Sequence, residues 1–465
     1  MFTTLYIHEI QNYLYGLRFQ VSFVIVLLVF CIGTVSFVTS YNEVQSNYAR
    51  VQQSQEETIG KLASSNVSKL AVHRFNFATA PRLNGVIADC KESMLPNSIS
   101  YSAYNVFGFN VRSGNTNPLI VQTDTLSWAF ILSMFLSFIT LLFAFDAISG
   151  EKEEHTLALV FSNPMPRKTF LFSKLASIVT VVTLMAVTGI IVSLLILLFS
   201  GKVQWDGTFL LEIAGFTGIS VLLITVFAVF GLLASALTPH SNVSLLVSLC
   251  FWLFSAVVVP NTAVFWANKL FPIPSIDDVN KQCVEERWDI VRSAPPGSQS
   301  SQDNNPFFPR HELRANLYMK LMQCDKKHYD HYYNQMFRQF ESTRLFTLLS
   351  PIAQFDYMNE AFMGGGYLRF RTNWDNLHNF QAQYLQWFKD IDAKDEKSPH
   401  WYNPEEDYST SRQKVSADIV PRYKEQIASF GQRFQFIGGY LVAMILTIAV
   451  LFVLCFVKFV RYDVR

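Results

Sequence analysis

The chain has little charge for its length: Asp, Glu, Lys and Arg make up 16% of its 465 residues, against 50% hydrophobic residues that include 42 Phe. With a mean hydropathy of +0.22, that balance excludes an ordinary soluble domain and describes a membrane protein with sizeable water-exposed parts. No Gly-x-x-x-x-Gly-Lys-Ser/Thr loop occurs, and Gly150-Glu-Lys152 lacks the glycine-rich turn whose backbone would cradle phosphates. An ATP-hydrolysing engine is therefore not expected in this chain, and neither is a catalytic residue. Charge is almost absent from the apolar runs, which argues against a proton- or ion-coupled transporter. The formal net charge is +1, and no nucleic-acid partner is expected.

Cysteine is scarce, with six residues. Cys31, Cys250 and Cys455 fall in apolar runs, where a thiol behaves as a small hydrophobe. Cys90, Cys283 and Cys324 fall outside them; three thiols leave one unpaired, and a Cys283–Cys324 disulfide is the candidate bridge. The first apolar run is long and has no small-residue cleavage pattern, so it is expected to stay as an anchor rather than be removed.

What is present is six apolar runs, each near the ~20 residues that a bilayer core demands: 19–38, 126–145, 175–199, 209–237, 243–266 and 434–460. They separate a leading segment 1–18, two long segments 39–125 and 267–433, a charged segment 146–174 and a tail 461–465. Arg18, the group Lys152, Arg167, Lys168 and Lys174, and the group Lys458, Arg461 and Arg465 alternate correctly with six spans. By the positive-inside rule both termini face the cytoplasm, in the inner (cytoplasmic) membrane, and the two long segments lie outside. In the leading segment Leu5, Ile10, Leu14 and Leu17 recur near helical spacing while Glu9, Asn12 and Arg18 point elsewhere. This reads as an interfacial elbow helix, the alternative being a plain extension of the first span.

The charged segment carries the most information. Ser149 and Gly150 are expected to break the second span, and Glu151, Glu153 and Glu154 then fall in the first turn of a new helix from about 151 to 161, where carboxylates offset the helix dipole. Leu157, Leu159, Val160 and Phe161 are more apolar than a solvated loop needs, and Pro164 and Pro166 end the helix. On these grounds alone a solvated hairpin and a docking helix stand level.

The string Asp146-Ala-Ile-Ser-Gly-Glu-Lys-Glu, then Thr156-Leu, Ser162-Asn-Pro, Arg167 and Lys174, resembles the signature of type 2 ABC exporter permeases. Pro81-Arg-Leu83, Gly85, Leu95-Pro and the run 99–110 resemble the first outer loop of a subfamily with two enlarged extracytoplasmic loops. Ser350-Pro351, Phe355, Gly364, Gly365, Phe380 and Tyr384 resemble the second, with Gly364-Gly-Gly-Tyr departing from the more usual single glycine. The resemblance implies a mainly α membrane protein, six transmembrane helices of type 2 ABC exporter architecture whose two extracytoplasmic insertions form an α+β outer domain. It implies two such permeases, identical or related, on a dimer of cytoplasmic ABC ATPases that bind the ATP and Mg, with no cofactor in this chain.

It also implies that segment 146–174 couples to the ATPase through Asp146, Gly150, Glu151, Lys152, Glu153, Glu154, Thr156, Leu157, Leu159, Phe161, Pro164 and Arg167. Leu157, Leu159 and Phe161 would be its anchors and the charges its rim. Two functions then compete: export of an unidentified substrate, or a mechanotransmitter that moves nothing itself and works through its outer domains on an envelope partner protein. A receptor-like scaffold would leave the string unexplained.

Three further features are weaker. Cys324, His328 and His331 recur at i, i+4 and i+7 beside Asp325 and suit zinc or copper, against a plain polar face. Glu212, near Lys202 and Asp206, reads as an interfacial carboxylate reaching water, with a transport role as the alternative. Gly231 with Ser235 and Gly439 with Ala443 have small-xxx-small spacing, for contact within a subunit or between permeases.

Overall fold

A computed structural model describes residues 2–89, 98–110, 126–162, 165–201, 206–299 and 309–462. Helix α1 (Phe2–Tyr15) meets α2 (Leu17–Ser65) at Gly16. The sequence places the first span at 19–38, yet α2 runs on unbroken for 49 residues, about 74 Å at 1.5 Å per residue. The stretch from Tyr41 onward has few breakers and propagates the helix past any bilayer. Asn66 stops it and caps α3 (Val67–Val72) by accepting from the Lys69 amide at 2.7 Å.

Three short strands follow, β1 (Phe75–Ala78), β2 (Ser98–Tyr101) and β3 (Val106–Asn110), antiparallel in the order β1-β2-β3. The run 99–109, whose partial alternation in sequence reads as a strand, is two strands, reversed where the Ser102 amide donates to the Asn105 carbonyl at 2.8 Å. The sequence Asn115 to Pro118, which reads as a turn, lies outside the described residues, as do Cys90, Lys202 and Pro164.

The second span is assembled from α4 (Trp128–Phe130), a wider π turn (Ile131–Leu136), α5 (Ser137–Ala144) and, after an irregular turn, α6 (Ser149–Glu153). Next come α7 (Thr156–Ser162), α8 (Arg167–Phe199), α9 (Gly207–Leu237), α10 (Ser241–Leu253), a second π turn (Phe254–Val258) and α11 (Val259–Leu270). Among the described residues six helical stretches are long and apolar enough to cross a membrane: Leu17–Ser65, Trp128–Glu153, Arg167–Phe199, Gly207–Leu237, Ser241–Leu270 and Phe430–Arg461. The Gly207–Leu237 stretch is the most enclosed and forms the bundle's centre, with Phe216, Leu223, Phe227 and Leu232 inside. Gly231 faces the Ala144 methyl so closely that an added Cβ would sit 2.4 Å from it, so this small residue serves packing within the chain. Gly439 has nothing near it and lies on the bundle's outer face.

The extramembrane part is completed by α12 (Ile276–Arg292), α13 (Pro309–Phe346), α14 (Pro351–Phe362) and α15 (Gly366–Asp392), before α16 (Phe430–Arg461) re-enters the bundle. The sheet buries Phe75, Phe77, Ile99 and Tyr101 in one core with Phe337 of α13 and Trp374, Leu377, Tyr384 and Phe388 of α15. Both long sequence segments therefore build one α+β domain. Backbone bonds from Val67 to Gln413 (3.0 Å) and from Val415 to Ala63 (3.1 Å) stitch them together.

A buried carboxylate fastens the same domain. Glu425 takes both arms of Arg369, Nε at 2.6 Å and Nη2 at 2.8 Å, and the Asn373 amide at 2.8 Å. Burial alone would raise its pKa, but the Arg369 hydrogen bonds and charge prevail and hold it below the ordinary 4.5. The lowered folded value means that its stabilisation is complete above 4.5 and lost as pH falls below it through the folded value. Acidification is expected to loosen this domain, and Glu425→Gln to flatten the dependence, read as Trp fluorescence against pH.

Candidate functional site

The charged segment lies at the end of the bundle opposite the extramembrane domain. Its expected single helix is two, α6 and α7, separated at Glu154 and His155, the latter in left-handed backbone at φ +55°. The break in the second span falls just before Ser149 rather than at Ser149-Gly150. There the amides of Ile148 and Ser149 both donate to the Ser235 hydroxyl of α9, at 2.9 and 2.8 Å, so a side chain on another helix satisfies what the broken ladder leaves open. Gly150 has ordinary space around it: an added Cβ would meet Asp146 Cβ at 3.7 Å and Ser241 Oγ at 3.9 Å.

The charges of the signature turn inward to the ends of the other helices. Lys152 Nζ donates to the last carbonyls of α9, Ser235 at 3.1 Å and Ala236 at 2.7 Å, and to Thr238 at 3.0 Å. A cation there satisfies orphan carbonyls and the negative helix end together. Glu153 does the converse for α10, accepting from the Ser241 amide at 3.0 Å and its hydroxyl at 2.8 Å. Arg167 Nη1 closes the end of α16 on the carbonyls of Phe459, Val460 and Tyr462 at 3.0, 2.6 and 2.8 Å. Asp146 pairs with Arg18 at the start of α2, at 2.5 Å.

Glu151 belongs to a buried triad. Lys174 Nζ of α8 lies 2.8 Å from Glu9 Oε1 of α1 and 2.5 Å from Glu151 Oε1 of α6. Glu9, read from sequence as facing away, is buried against α8, because Lys174 gives its carboxylate a partner there. The Tyr6 and Thr180 hydroxyls, 2.9 Å apart, hold the same two helices.

These positions revise the expected anchors. Leu157 is only 3% exposed and packs in the bundle core, so it belongs to the chain's own interior. Phe161 sits against Phe170 and Phe459, ring centroids 5.5 and 5.9 Å away. Thr156 bonds back to the Glu151 carbonyl at 3.4 Å. Leu159 is 69% exposed and, with Glu154 and His155, forms the exposed face of this segment. Lys152 and Glu153, expected as rim charges, are bonded to helix ends within the chain, as is Arg167. Sequence spacing could not reveal this, because their partners lie 83 to 295 residues away.

At the other end of the bundle Glu212 is buried, contrary to the expected water-reaching carboxylate. Arg433 Nη1 of α16 lies 3.0 Å from Glu212 Oε1 of α9 and also donates to the Phe362 carbonyl at 3.0 Å. Asn84 donates to Glu212 Oε2 at 3.2 Å and to the Met363 carbonyl at 3.0 Å. Both long segments thereby join two membrane helices at one ion pair. Gly364, at φ +62°, leaves room for this, since a Cβ would lie 2.8 Å from the guanidinium.

On α13 Cys324 and His328 face α12, while His331 turns aside to Gln335 at 3.0 Å. The expected trio is therefore replaced by Glu286, Cys324 and His328. Cys283 and Cys324 are both buried and stand as free thiols on these facing helices.

The family described as ABC-2 family transporter protein matches residues 3–464 of the chain. A search of curated proteins finds no match.

Proposed function

The chain belongs to the ABC-2 transporter family and is a multi-pass membrane permease component of an ABC system, and from that premise we propose that segment 146–174 receives the stroke of a separate cytoplasmic ATPase dimer. The ATPase binds the ATP and Mg, and two permeases, identical or related, sit on it side by side. The segment, both termini and α1 face the cytoplasm of the inner membrane, and the extramembrane domain faces outward. The observation that carries this reading is the fastening of other helices to one short segment. Glu9 of α1, Arg18 of α2, the end of α9, the start of α10 and the end of α16 all bond to it. A push on the exposed face at Glu154, His155 and Leu159 is passed on through Leu157 and Phe161 of α7, which pack into the bundle.

A Leu159→Asp variant is expected to insert and melt like the parent protein, because the side chain is exposed, yet to lose its co-purifying ATPase. Leu157→Asp should instead destabilise the permease itself, by burying a charge. Retained ATPase with Leu159→Asp would remove the docking assignment.

Export of an unidentified substrate is the first function this supports. Mechanotransmission to an envelope protein is favoured by one observation, the unbroken α2, which leads from the coupling end into the extramembrane domain. ATP-driven movement of that domain in vesicles, without substrate flux, would decide for the second.

A further inference from the structure

The extramembrane helices α12 and α13 bring together residues of metal-binding type that no part of the transport reading uses. The ligand atoms of Glu286, Cys324 and His328 all lie within 4.8 Å of one another, and His328 Nε2 is 2.7 Å from Glu286 Oε2. Cys283, one turn before Glu286 on α12, is buried and reaches α13 at Asp325, the neighbour of Cys324, its Sγ 3.2 Å from Asp325 Oδ1. Each helix thus offers two ligands on one face, Cys283 and Glu286 at i and i+3, Cys324 and His328 at i and i+4.

We propose that Cys283, Glu286, Cys324 and His328 bind a divalent zinc-class ion that clamps α12 to α13. Two sulfurs, an imidazole and a carboxylate match the borderline-soft preference of zinc and disfavour calcium or magnesium. Ligand atoms of a tetrahedral zinc site stand about 3.3–3.8 Å apart, so Glu286, Cys324 and His328 are already near site spacing, and Cys283 would be drawn in as the fourth ligand.

Surrounding groups support it. Asp325 is held by Arg287 at 2.5 Å, so it keeps a partner when Cys283, whose thiol donates to it at 3.2 Å, gives up its proton to bind the ion. Tyr329 donates to Asn280 at 2.8 Å and fixes the two helices in register. Lys327 Nζ, 3.0 Å from Glu286, is the cation the ion would displace, and its side chain is 69% exposed and free to swing into water.

The test uses full-length protein in detergent, kept reduced with a phosphine and stripped with a chelator, then titrated with cobalt(II) and back-titrated with zinc. The expected result is a tetrahedral cobalt spectrum with sulfur-to-metal charge transfer, abolished by one equivalent of zinc. Cys324→Ser and His328→Gln should weaken zinc by about tenfold or more, the least that loss even of an outer-shell partner costs, while His331→Gln and Cys250→Ser leave it unchanged. Glu286 is part-exposed, so Glu286→Gln should melt like the parent without metal and still bind zinc more weakly, which separates ligand loss from misfolding. A cobalt spectrum without a thiolate band, or equal binding by Cys324→Ser and the parent, would overturn the proposal. So would a Cys283–Cys324 disulfide in protein isolated without reductant, together with reduced protein that takes no metal.

Discussion

A Lys174→Met variant is expected to lose about 3–5 kcal/mol of stability, the cost of breaking a buried ion pair by removing one partner. Lys174 and Glu9 are among the buried residues, and Glu151 is half-buried. Without the ammonium the two carboxylates face each other across a gap that water barely reaches. Helices α1 and α6 would then repel where they now converge on α8. The measurement is thermal melting in nanodiscs, paired with disulfide trapping between cysteines introduced at Tyr6 and Thr180, whose hydroxyls now touch. Trapping should fall along with the melting temperature. Removing the excess negative charge in the same background, as Glu9→Gln with Glu151→Gln, should recover much of both. An unchanged melting temperature for Lys174→Met would mean that the triad holds nothing together, and the coupling route through α8 would fail with it.

The second large effect is expected at the opposite end. Arg433→Met leaves Glu212 buried without its ion-pair partner and frees the carbonyls of Phe362 and Ala428, which now accept from the same guanidinium. A loss of about 3–5 kcal/mol is again expected. Here the damage should be local in a telling way: the joint between bundle and extramembrane domain opens, and proteolysis near Gly364–Gly366 accelerates while the helices stay folded. Replacing both charges, as Glu212→Leu with Arg433→Met, is expected to restore stability to near the parent level, because a buried pair exchanged for apolar side chains is often neutral or better. If the double variant is stable but ATP-driven work is lost, the pair transmits force rather than merely holding the fold. Two singles as stable as the parent would show that the joint carries no load.

How much of this was legible in the sequence differs from residue to residue. The apolar runs were, because about 20 consecutive apolar residues have no other stable setting. What a hydropathy pattern does not mark is that the helix outlasts the first apolar run, since α2 carries on through a polar sequence of good helix formers. The charged segment 146–174 stands out in the sequence, but there it reads as a docking face. Leu157 and Leu159 look alike in sequence, two positions apart on a short helix, and only the packing against the bundle separates the buried one from the exposed one.

The sequence by itself determined the class of the protein, the positions of its membrane runs, the absence of a phosphate-binding loop and the family to which segment 146–174 belongs. These depend on composition and on short-range spacing, which a linear string records completely. Tertiary structure alone decided that Lys152, Glu153 and Arg167 close helix ends, that Glu9 joins Lys174, that Glu212 is paired by Arg433, and that Glu286 rather than His331 stands beside Cys324 and His328. In each case one side chain satisfies a group from a distant part of the chain. A charge far from neutralising partners in sequence can only read as solvated until folding brings the partner to it.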